Sequence, residues 1–405
     1  MDVRVEELPP PGLVQDQSGL DRLMEALDGE REIAVDTEAD SFYSYRDKVC
    51  LFQVTAGGED WLVDPFADLD LEGFGEILAD PGVRKVFHDA EYDVLILKRE
   101  FEFDFAGLFD TRVAAAVLGS TSPGLASVLS SRFGVELDKS QQRSNWSQRP
   151  LSPKQIAYAR LDTRFLLPLM REQELELERR GRRMILETEC RRLEALEPPP
   201  AGPHPDDFVR IKGARSLDPR GASALRELHG MREKLAERYD LPPFRILGNK
   251  TMVDVAQRRP RSDKELLRIE GVTPKVLGRI GDRIRRALER AERRGPIERL
   301  PSAPRRDGAH LDDMESELHD RLKRMRKEAS EKDGIESAYL LNRHVLLALA
   351  KERPTSKTSL EALELLEGWQ LDRFGDSILD TVVAFERDAA RGAIRPRGGH
   401  RRRRR

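Results

Sequence analysis

Residues 32–38 read Glu-Ile-Ala-Val-Asp-Thr-Glu, an apolar run that leads into two carboxylates. The run predicts a short buried strand. Side chains two positions apart on a strand point to the same face, so Asp36 and Glu38 would project side by side at its end. Segments 51–54 and 60–64, with glycines at 57–58 between them, predict the next two strands of a meander.

A second acidic stretch lies at residues 88–93 and reads His-Asp-Ala-Glu-Tyr-Asp. Residues 83–88 predict a strand, and the helix that follows would hold Asp93 in its first turns. The segment Phe-Asp-Thr at 109–111 lies between this stretch and the next one.

The third stretch begins a helix, because Ser152 is a suitable N-cap and Pro153 suits the first helical position. Tyr158 and Asp162 are four residues apart, so they share one face of this helix. A carboxylate and a phenol would then point at the same place.

The residue types indicate a phosphodiesterase that uses metal ions. Mg²⁺ prefers oxygen ligands and usually keeps waters and substrate phosphate oxygens in its shell. Two such ions about 3.5–4 Å apart can stabilise the attacking and leaving oxygens of a phosphodiester displacement. Four carboxylates would supply the charge that holds both ions, and Tyr158 could orient the attacking water.

The order Asp-x-Glu, His-x-Ala-x-x-Asp and Tyr-x-x-x-Asp resembles the tyrosine subfamily of the DEDD 3′–5′ exonucleases. The segment Ser-Asn-Trp-Ser-Gln-Arg-Pro-Leu at 144–151 narrows the resemblance to the ribonuclease D family. The similarity covers roughly residues 10–195 and implies an α/β ribonuclease-H-like fold, a mixed sheet with flanking helices. It also implies two divalent ions, Mg²⁺ or Mn²⁺.

The resemblance also assigns roles to residues. It makes Tyr158 the residue that positions water, and it gives a set of metal-binding carboxylates: Asp36, Glu38, Asp93 and Asp162. It implies that Thr37, His88, Trp146 and the segment 109–111 contact the terminal nucleotide or support the site around it. Asp89 departs from the family pattern, since a small or neutral residue is expected there.

Each motif alone has a more ordinary interpretation. An Asp-x-Glu triplet is common on surfaces, and Tyr158 with Asp162 could be a surface pair. His88 could be a structural histidine, Trp146 a packing anchor and Asp110 a helix cap. Their joint occurrence in this order, each acid beside an apolar strand or on a helix, favours the catalytic interpretation.

Composition indicates a soluble protein of two or three domains, since 405 residues is long for one. The sequence contains no run of about 18 apolar residues, so it predicts no membrane span. The acidic stretch 1–7 lacks the apolar core of a signal peptide. Two isolated cysteines, Cys50 and Cys190, give neither a disulfide framework nor zinc spacing, so we expect a cytoplasmic protein.

Charge is unevenly distributed along the chain. The net charge is −3, but residues 208–294 hold 23 Lys and Arg against 12 Asp and Glu, and the end from 397 to 405 adds six arginines without an acid. A basic region beside acidic motifs suits an enzyme that acts on a polyanion. The alternative is that the arginines only solvate helical surfaces.

Two proline-rich spacers, at 197–205 and 294–308, precede two similar helical segments. In both, the proline of an Arg-Pro pair follows a leucine by thirteen positions: Pro260 follows Leu247, and Pro354 follows Leu341. Glycines seven residues apart follow in each, at 271 and 278 and at 368 and 375. The first of these glycines follows the proline by eleven positions in one copy and by fourteen in the other, which predicts a loop insertion.

The repeated segments resemble the helicase-and-ribonuclease-D C-terminal domain, an accessory nucleic-acid-binding module. The resemblance implies phosphate contacts in the first copy from a set of basic residues: Lys250, Arg258, Arg259, Arg261, Lys264 and Lys275. The second copy is degenerate, and it could bind nucleic acid or pack against the catalytic domain.

The predicted division of the chain has six parts. They are a catalytic domain at 1–196, a linker at 197–207, a first helical domain at 208–294, a linker at 295–316, a second helical domain at 317–390 and a basic disordered tail at 391–405.

We therefore expect a metal-dependent 3′–5′ exoribonuclease that trims the single-stranded 3′ ends of structured RNAs, such as tRNA precursors. RNA preference and polarity come from the resemblance, whereas the residues alone indicate a two-metal phosphodiesterase on a polyanion. A DNA-repair 3′–5′ deoxyribonuclease, a non-catalytic nucleic-acid-binding protein and a protein-binding scaffold are the alternatives. The sequence leaves the choice of ion and the oligomeric state open.

Overall fold

The computed structural model describes residues 8–200, 202, 204–301 and 311–394. They form an α/β domain followed by two helical bundles. The predictions for the first seven residues and for the basic tail from 395 onward lie outside the described residues. Across the described ranges, no helix is both long enough and apolar enough to cross a membrane.

The α/β domain is built on a mixed sheet, as predicted. Its described strands are ordered β1-β4-β3-β2-β5-β6. The central β2, β3 and β4 are antiparallel, and the other pairs are parallel. Gly57 and Gly58 form the turn of the predicted meander with φ of +55° and +86°, where the absence of a side chain removes strain. The strands are β1 (Gly12–Val14), β2 (Glu32–Ala39), β3 (Val49–Ala56), β4 (Glu59–Val63), β5 (Arg84–Phe87) and β6 (Leu108–Asp110).

Helices flank this sheet on both sides, and every residue of β3 is buried. The helices are α1 (Gln17–Leu27), α2 (Glu72–Ala79), α3 (Glu91–Phe101), α4 (Thr111–Val117), α5 (Leu125–Phe133), α6 (Pro153–Arg164), α7 (Leu166–Arg179) and α8 (Arg183–Glu194). The predicted start of α6 is confirmed: Ser152 and Gln155 form a capping box, and Pro153 is the first helical residue.

Helix α6 is fixed to the sheet by a buried ion pair. Arg160 Nη2 lies 2.6 Å from Asp60 Oδ2, and their side chains are only 8% and 2% exposed. Thr55 donates to the same carboxylate at 2.9 Å and lies 2.7 Å from the hydroxyl of Thr163. These bonds fix the rotation of α6 about its axis, which decides where its other side chains point.

The two bundles repeat one arrangement of five helices. The first has α9 (Pro219–Tyr239), α10 (Pro243–Ile246), α11 (Asn249–Arg258), α12 (Asp263–Leu266) and α13 (Pro274–Arg294). The second has α14 (Asp313–Asp333), α15 (Ser337–Leu340), α16 (Arg343–Glu352), α17 (Lys357–Glu361) and α18 (Gly368–Ala390). Each helix of the second bundle begins 94 positions after its counterpart, so the predicted repeat is confirmed.

The predicted loop insertion is wrong, because the offset of 94 positions also holds across that segment. Gly368 occupies the position of Pro274 at the start of the last helix, and Gly375 is the counterpart of the buried Gly281. The helix start is set by the N-cap residue before it, not by a glycine.

The repeat extends to interior side chains. Arg232 Nη1 donates to the carbonyl of Leu247 at 3.4 Å, and its counterpart Arg326 Nη1 donates to the carbonyl of Leu341 at 2.7 Å. Each arginine thereby donates to the carbonyl directly after the second helix of its bundle.

The bundles pack differently against the α/β domain. The first has its own apolar core. The second shares one continuous core with the α/β domain, and Trp369 Nε1 donates to Thr188 Oγ1 at 2.9 Å. Glu367 adds an ion pair with Arg191 at 3.1 Å. Of the two roles left open by the sequence, the structure shows that the second copy packs against the α/β domain.

Both bundles contact the α/β domain with the corner between their first two helices. In the first bundle, Asp240 accepts a hydrogen bond from the backbone N–H of Tyr45 at 3.0 Å. In the second, the carbonyl of Asp333 accepts from Arg182 at 2.7 Å. Equivalent parts of the repeat are therefore used on two different faces of the α/β domain.

Candidate active site

The predicted acidic residues come together from three elements. Asp36 and Glu38 lie on β2, Asp93 lies in the first turn of α3, and Tyr158 and Asp162 lie on α6. A cavity of about 360 Å³ is lined by Asp36, Glu38, Tyr158 and Asp162, while Asp93 is nearly fully buried beside them. The structure thus places all five residues at one site.

The site concentrates negative charge in a poorly hydrated place. Burial, followed by the neighbouring acids, raises the pKa of Glu38 to about 9. Burial also raises the pKa of Asp93 to about 7, and the pKa values of Asp36 and Asp162 lie well above the ordinary range. Carboxylates in this position would take up protons at neutral pH unless cations compensate their charge.

Hydroxyl groups hold two of the carboxylates. Thr37 Oγ1 donates to Asp93 Oδ1 at 2.5 Å, and the phenol of Tyr158 donates to Asp162. Thr37 is only 8% exposed, so the structure shows it positioning Asp93, and its predicted contact with the substrate stays a prediction.

The donor set fits a hard divalent cation, because it contains only carboxylate and hydroxyl oxygens. Over the residues that the structure describes, no three acidic, histidine or cysteine side chains are already close enough together to surround a single ion. Four ionised carboxylates at one site repel one another unless cations lie between them.

His88 lines the cavity but is held by the protein itself. Its Nδ1 lies 2.8 Å from the hydroxyl of Thr111, which donates to the carbonyl of Phe87 at 2.9 Å. Burial lowers the pKa of His88 to about 4, so the ring is neutral at pH 7 and offers no charge to a phosphate.

Asp110 is a helix cap, as its ordinary interpretation predicted. Its buried carboxylate accepts from the N–H groups of Arg112 and Val113 at the start of α4. It also accepts from the N–H groups of Asp89 and Ala90 at 3.1 and 2.8 Å. The residue therefore fixes the segment that leads into Asp93.

Trp146 packs against Tyr158, and its predicted contact with the nucleotide stays a prediction. It is 1% exposed, and its ring centroid lies 6.0 Å from that of Tyr158. The same segment is anchored by Arg149, whose two nitrogens donate to Asp64 at 2.5 and 2.7 Å. The motif that suggested the family thus positions Tyr158.

The six residues predicted to bind phosphates lie on the first bundle, and none of them is among the residues that line this cavity. Arg258 and Arg259 line a groove of about 680 Å³, and Arg259 is paired with Asp218 at 2.7 Å. Lys250 is not among the residues that line this groove, and it pairs with Glu270. Arg261 also lines the groove, whereas Lys264 and Lys275 do not, so the structure brings together three of the six predicted cations.

Sequence reasoning missed several residues that line the cavity. Arg112 and Lys139 add positive charge to its wall, and the first turn of α5, at 124–127, presents the positive end of a helix dipole. Arg112 Nε lies 3.5 Å from Asp89 Oδ2, which offsets the unexpected charge of Asp89. Only the position of Arg112, directly after the 109–111 segment, was a signal.

The chain is similar in sequence to known proteins. The chain matches the family model of a 3′–5′ exonuclease over residues 11–178 and that of the HRDC domain over 222–288 and 315–382. Ribonuclease D of Gluconacetobacter diazotrophicus is 32% identical over 92% of each chain.

Solved structures show the same fold. The crystal structure of Escherichia coli RNase D, described as an exoribonuclease involved in structured RNA processing, has a TM-score of 0.66 and is 24% identical. It matches 93% of this chain and 99% of its own. The catalytic core of RRP6 from Trypanosoma brucei has a TM-score of 0.64 and 25% identity, over 72% of this chain and 82% of its own.

The fold and the site define a 3′–5′ exonuclease of the ribonuclease-H-like class, joined to two HRDC domains. Enzymes of this class depend on divalent metal ions. The chain belongs to the ribonuclease D family, and it is a 3′–5′ exoribonuclease.

Proposed function

We propose that the cavity hydrolyses the 3′-terminal phosphodiester bond of RNA and releases nucleoside 5′-monophosphates. The observation that carries this proposal is the convergence of four carboxylates and one phenol from three elements on one cavity. In this proposal Asp36, Glu38, Asp93 and Asp162 hold two divalent cations, Mg²⁺ or Mn²⁺. When bound, the cations supply Lewis acidity to the attacking and leaving oxygens.

The remaining groups of the site orient the substrate and the attacking water. Burial and the neighbouring acids raise the pKa of Tyr158 above its usual range, so its phenol stays protonated at neutral pH. It therefore acts through hydrogen bonds and not as a phenolate. Arg112 and Lys139, with the first turn of α5, are placed to attract the phosphate.

Tyr158→Phe should lower kcat about tenfold to a thousandfold with little change in KM, because it removes one oriented hydrogen bond and no charge. The measurement is steady-state hydrolysis of a labelled oligoribonucleotide. Tyr239→Phe, which removes an exposed phenol on the first bundle, should hydrolyse RNA at the wild-type rate. An unchanged kcat in Tyr158→Phe would show that the phenol has no part in catalysis.

The first bundle is proposed to hold the body of a structured RNA, such as a tRNA precursor, while its single-stranded end enters the cavity. Five arginines line its groove together with Glu289 and Glu292: Arg220, Arg258, Arg259, Arg261 and Arg285. Within the described ranges, the side chains of Arg258 and Arg261 form no ion pair with a carboxylate.

The second bundle keeps the fold but not the full set of basic residues of this groove. Its residues at the five arginine positions are Met314, Glu352, Arg353, Thr355 and Leu379. Residues 219–294 hold 20 basic and 11 acidic residues, whereas the equivalent 313–388 hold 12 and 17. The first copy is therefore net positive and the second net negative. This difference favours the first copy as the one that binds RNA.

Arg258→Gln with Arg261→Gln should weaken RNA binding and reduce the slope of log affinity against log salt by about 0.7–0.9 for each lost phosphate contact. The measurement is a titration of labelled RNA at several salt concentrations. Lys351→Gln, at the equivalent end of α16 in the second bundle, is the matched control and should leave the slope unchanged. Point variants are needed because deleting both bundles would expose the core that the second shares with the α/β domain.

The test of the whole proposal is degradation of 5′-labelled RNA and DNA of matched sequence, with Mg²⁺, Mn²⁺ or EDTA. We expect a metal-dependent ladder that shortens from the 3′ end on RNA and is weaker on DNA. A stronger DNA ladder would instead make the chain a deoxyribonuclease, and binding without any ladder would make it a binding protein. We place the activity in the cytoplasm, in keeping with two buried free cysteines.

A further inference from the structure

A cluster of aromatic and arginine side chains lies where the first bundle meets the α/β domain. We call it the junction cluster, and its members are Phe42, Tyr43, Arg143, Phe244 and Arg245. The rings of Phe42 and Phe244 come from different domains, and their centroids are 6.4 Å apart at 67°. Both remain in contact with solvent, at 41% and 55% exposure.

Each of two aromatic rings in the cluster has a guanidinium group beside it. The Arg143 guanidinium is 5.5 Å from the ring centroid of Phe42, and that of Arg245 is 4.5 Å from the centroid of Tyr43. Both arginines are exposed, and in the part of the chain that the structure describes neither pairs with a carboxylate. The cluster therefore offers planar surfaces together with uncompensated positive charge.

Other contacts also join the two domains. The N–H of Tyr45 donates to Asp240 at 3.0 Å, its hydroxyl lies 3.4 Å from Glu233, and Arg46 lies 3.4 Å from Glu237. The Tyr45 ring also packs against the apolar core of the first bundle. An apolar contact that stabilised the interface would bury its rings, because the gain scales with the area removed from water. Two rings that each keep over 40% exposure need another explanation.

Neighbouring residues of the chain connect the cluster to the active-site cavity. The hydroxyl of Tyr43 donates to the backbone carbonyl of Arg143 at 3.0 Å. The neighbouring residue Gln142 lines the cavity, as does Lys139. Phe42 itself follows Glu38 by four positions in the loop that leaves β2. An RNA strand that leaves the cavity along this wall would reach the rings of the cluster next.

We propose that the junction cluster is a stacking platform for nucleotides of single-stranded RNA that lie upstream of the nucleotide being removed, an inference that rests on the proposed function. Aromatic rings and guanidinium planes stack on every base, so such a platform grips RNA without selecting its sequence. Arg143 and Arg245 would add attraction for the backbone phosphates. Because one ring comes from each domain, the platform exists only when the first bundle is docked.

The experiment measures binding of adenylate oligonucleotides of increasing length to the full chain. All variants carry Asp36→Asn so that the RNA is not degraded. We expect Phe244→Ala to weaken binding of the longer oligonucleotides about fivefold to a hundredfold, as for the loss of one stacked base. Phe244→Tyr should bind like wild type, and Phe244→Leu should be as weak as Phe244→Ala. Leu175→Ala, at an exposed apolar side chain on α7, is the control.

The leucine variant separates stacking from packing. Wild-type affinity in Phe244→Leu would overturn the platform, because leucine keeps apolar contact between the domains but cannot stack on a base. A second readout uses RNA with one internal 4-thiouridine, which should form a photo-crosslink to Phe42 or Phe244. Crosslinks confined to other residues would also overturn the proposal. Loss of RNA binding by the parent chain would sink the proposed function itself.

Discussion

Asp36→Asn is expected to reduce hydrolysis at least about a thousandfold and, at the same time, to stabilise the metal-free protein at pH 8. The activity falls because a ligand of the proposed cations is lost. The stability rises because an amide replaces a carboxylate that is surrounded by Glu38, Asp93 and Asp162. The expected gain is on the order of 1–3 kcal/mol.

The sign of this effect follows from the raised pKa values. In the folded state Glu38 has a pKa of about 9 and Asp93 of about 7, both above their values in the unfolded chain. The folded state therefore binds more protons between about pH 4 and these values, and stability falls as pH rises through this window. Without metal, the wild-type chain should be less stable at pH 9 than at pH 6.

Divalent cations should reverse the order of stability of the wild-type chain and Asp36→Asn. Mg²⁺ should raise the Tm of the wild-type chain much more than that of Asp36→Asn, because an ion stabilises only the state that binds it. Thermal unfolding at pH 6 and pH 8, with EDTA or Mg²⁺, measures this. Asp68→Asn, at an exposed carboxylate, should change neither activity nor Tm. A metal-free Asp36→Asn that is less stable than wild type at pH 8 would contradict the charge-cluster explanation.

Arg160→Ala is expected to destabilise the protein by about 3–5 kcal/mol, because it leaves the carboxylate of Asp60 buried without its partner. The pair is separated by 2.6 Å and almost fully enclosed. Activity should fall as well, since α6 carries Tyr158 and Asp162 and would lose its fixed rotation. Urea denaturation and steady-state kinetics measure the two effects.

The matched control is Arg164→Ala, one turn further along the same helix. Arg164 lies 3.5 Å from the same Asp60 but is 22% exposed, so water can replace it. We expect a loss of roughly 1 kcal/mol or less from this change. Equal losses in the two variants would show that burial of the Arg160 pair is not what fixes α6.

The proposed site was predictable from the sequence because its motifs are local. The alternation of β2 places Asp36 and Glu38 on one face, and the capping box of Ser152 and Gln155 fixes where α6 begins. Such patterns follow from backbone geometry within a few residues, which is why the ordered motifs pointed to one family.

Residues whose contacts are distant in sequence were not predictable. No local pattern indicated that the ring of Trp146 packs against that of Tyr158. Arg112 and Lys139 belong to none of the acidic motifs, and only the tertiary structure places them at the cavity. The glycine spacing misled the alignment of the two bundles, since helix starts follow N-caps.

The sequence by itself determined the α/β class, the order of the acidic motifs and the presence of a repeat, because strand alternation, helix caps and repeat spacing are short-range properties of the chain. The tertiary structure alone decided that the second bundle shares a core with the α/β domain while the first keeps its own. It alone brought Phe42 and Phe244 together across a domain boundary. Contacts of this kind depend on which surfaces can be buried against each other. Two bundles of the same fold can therefore pack against the α/β domain in different ways.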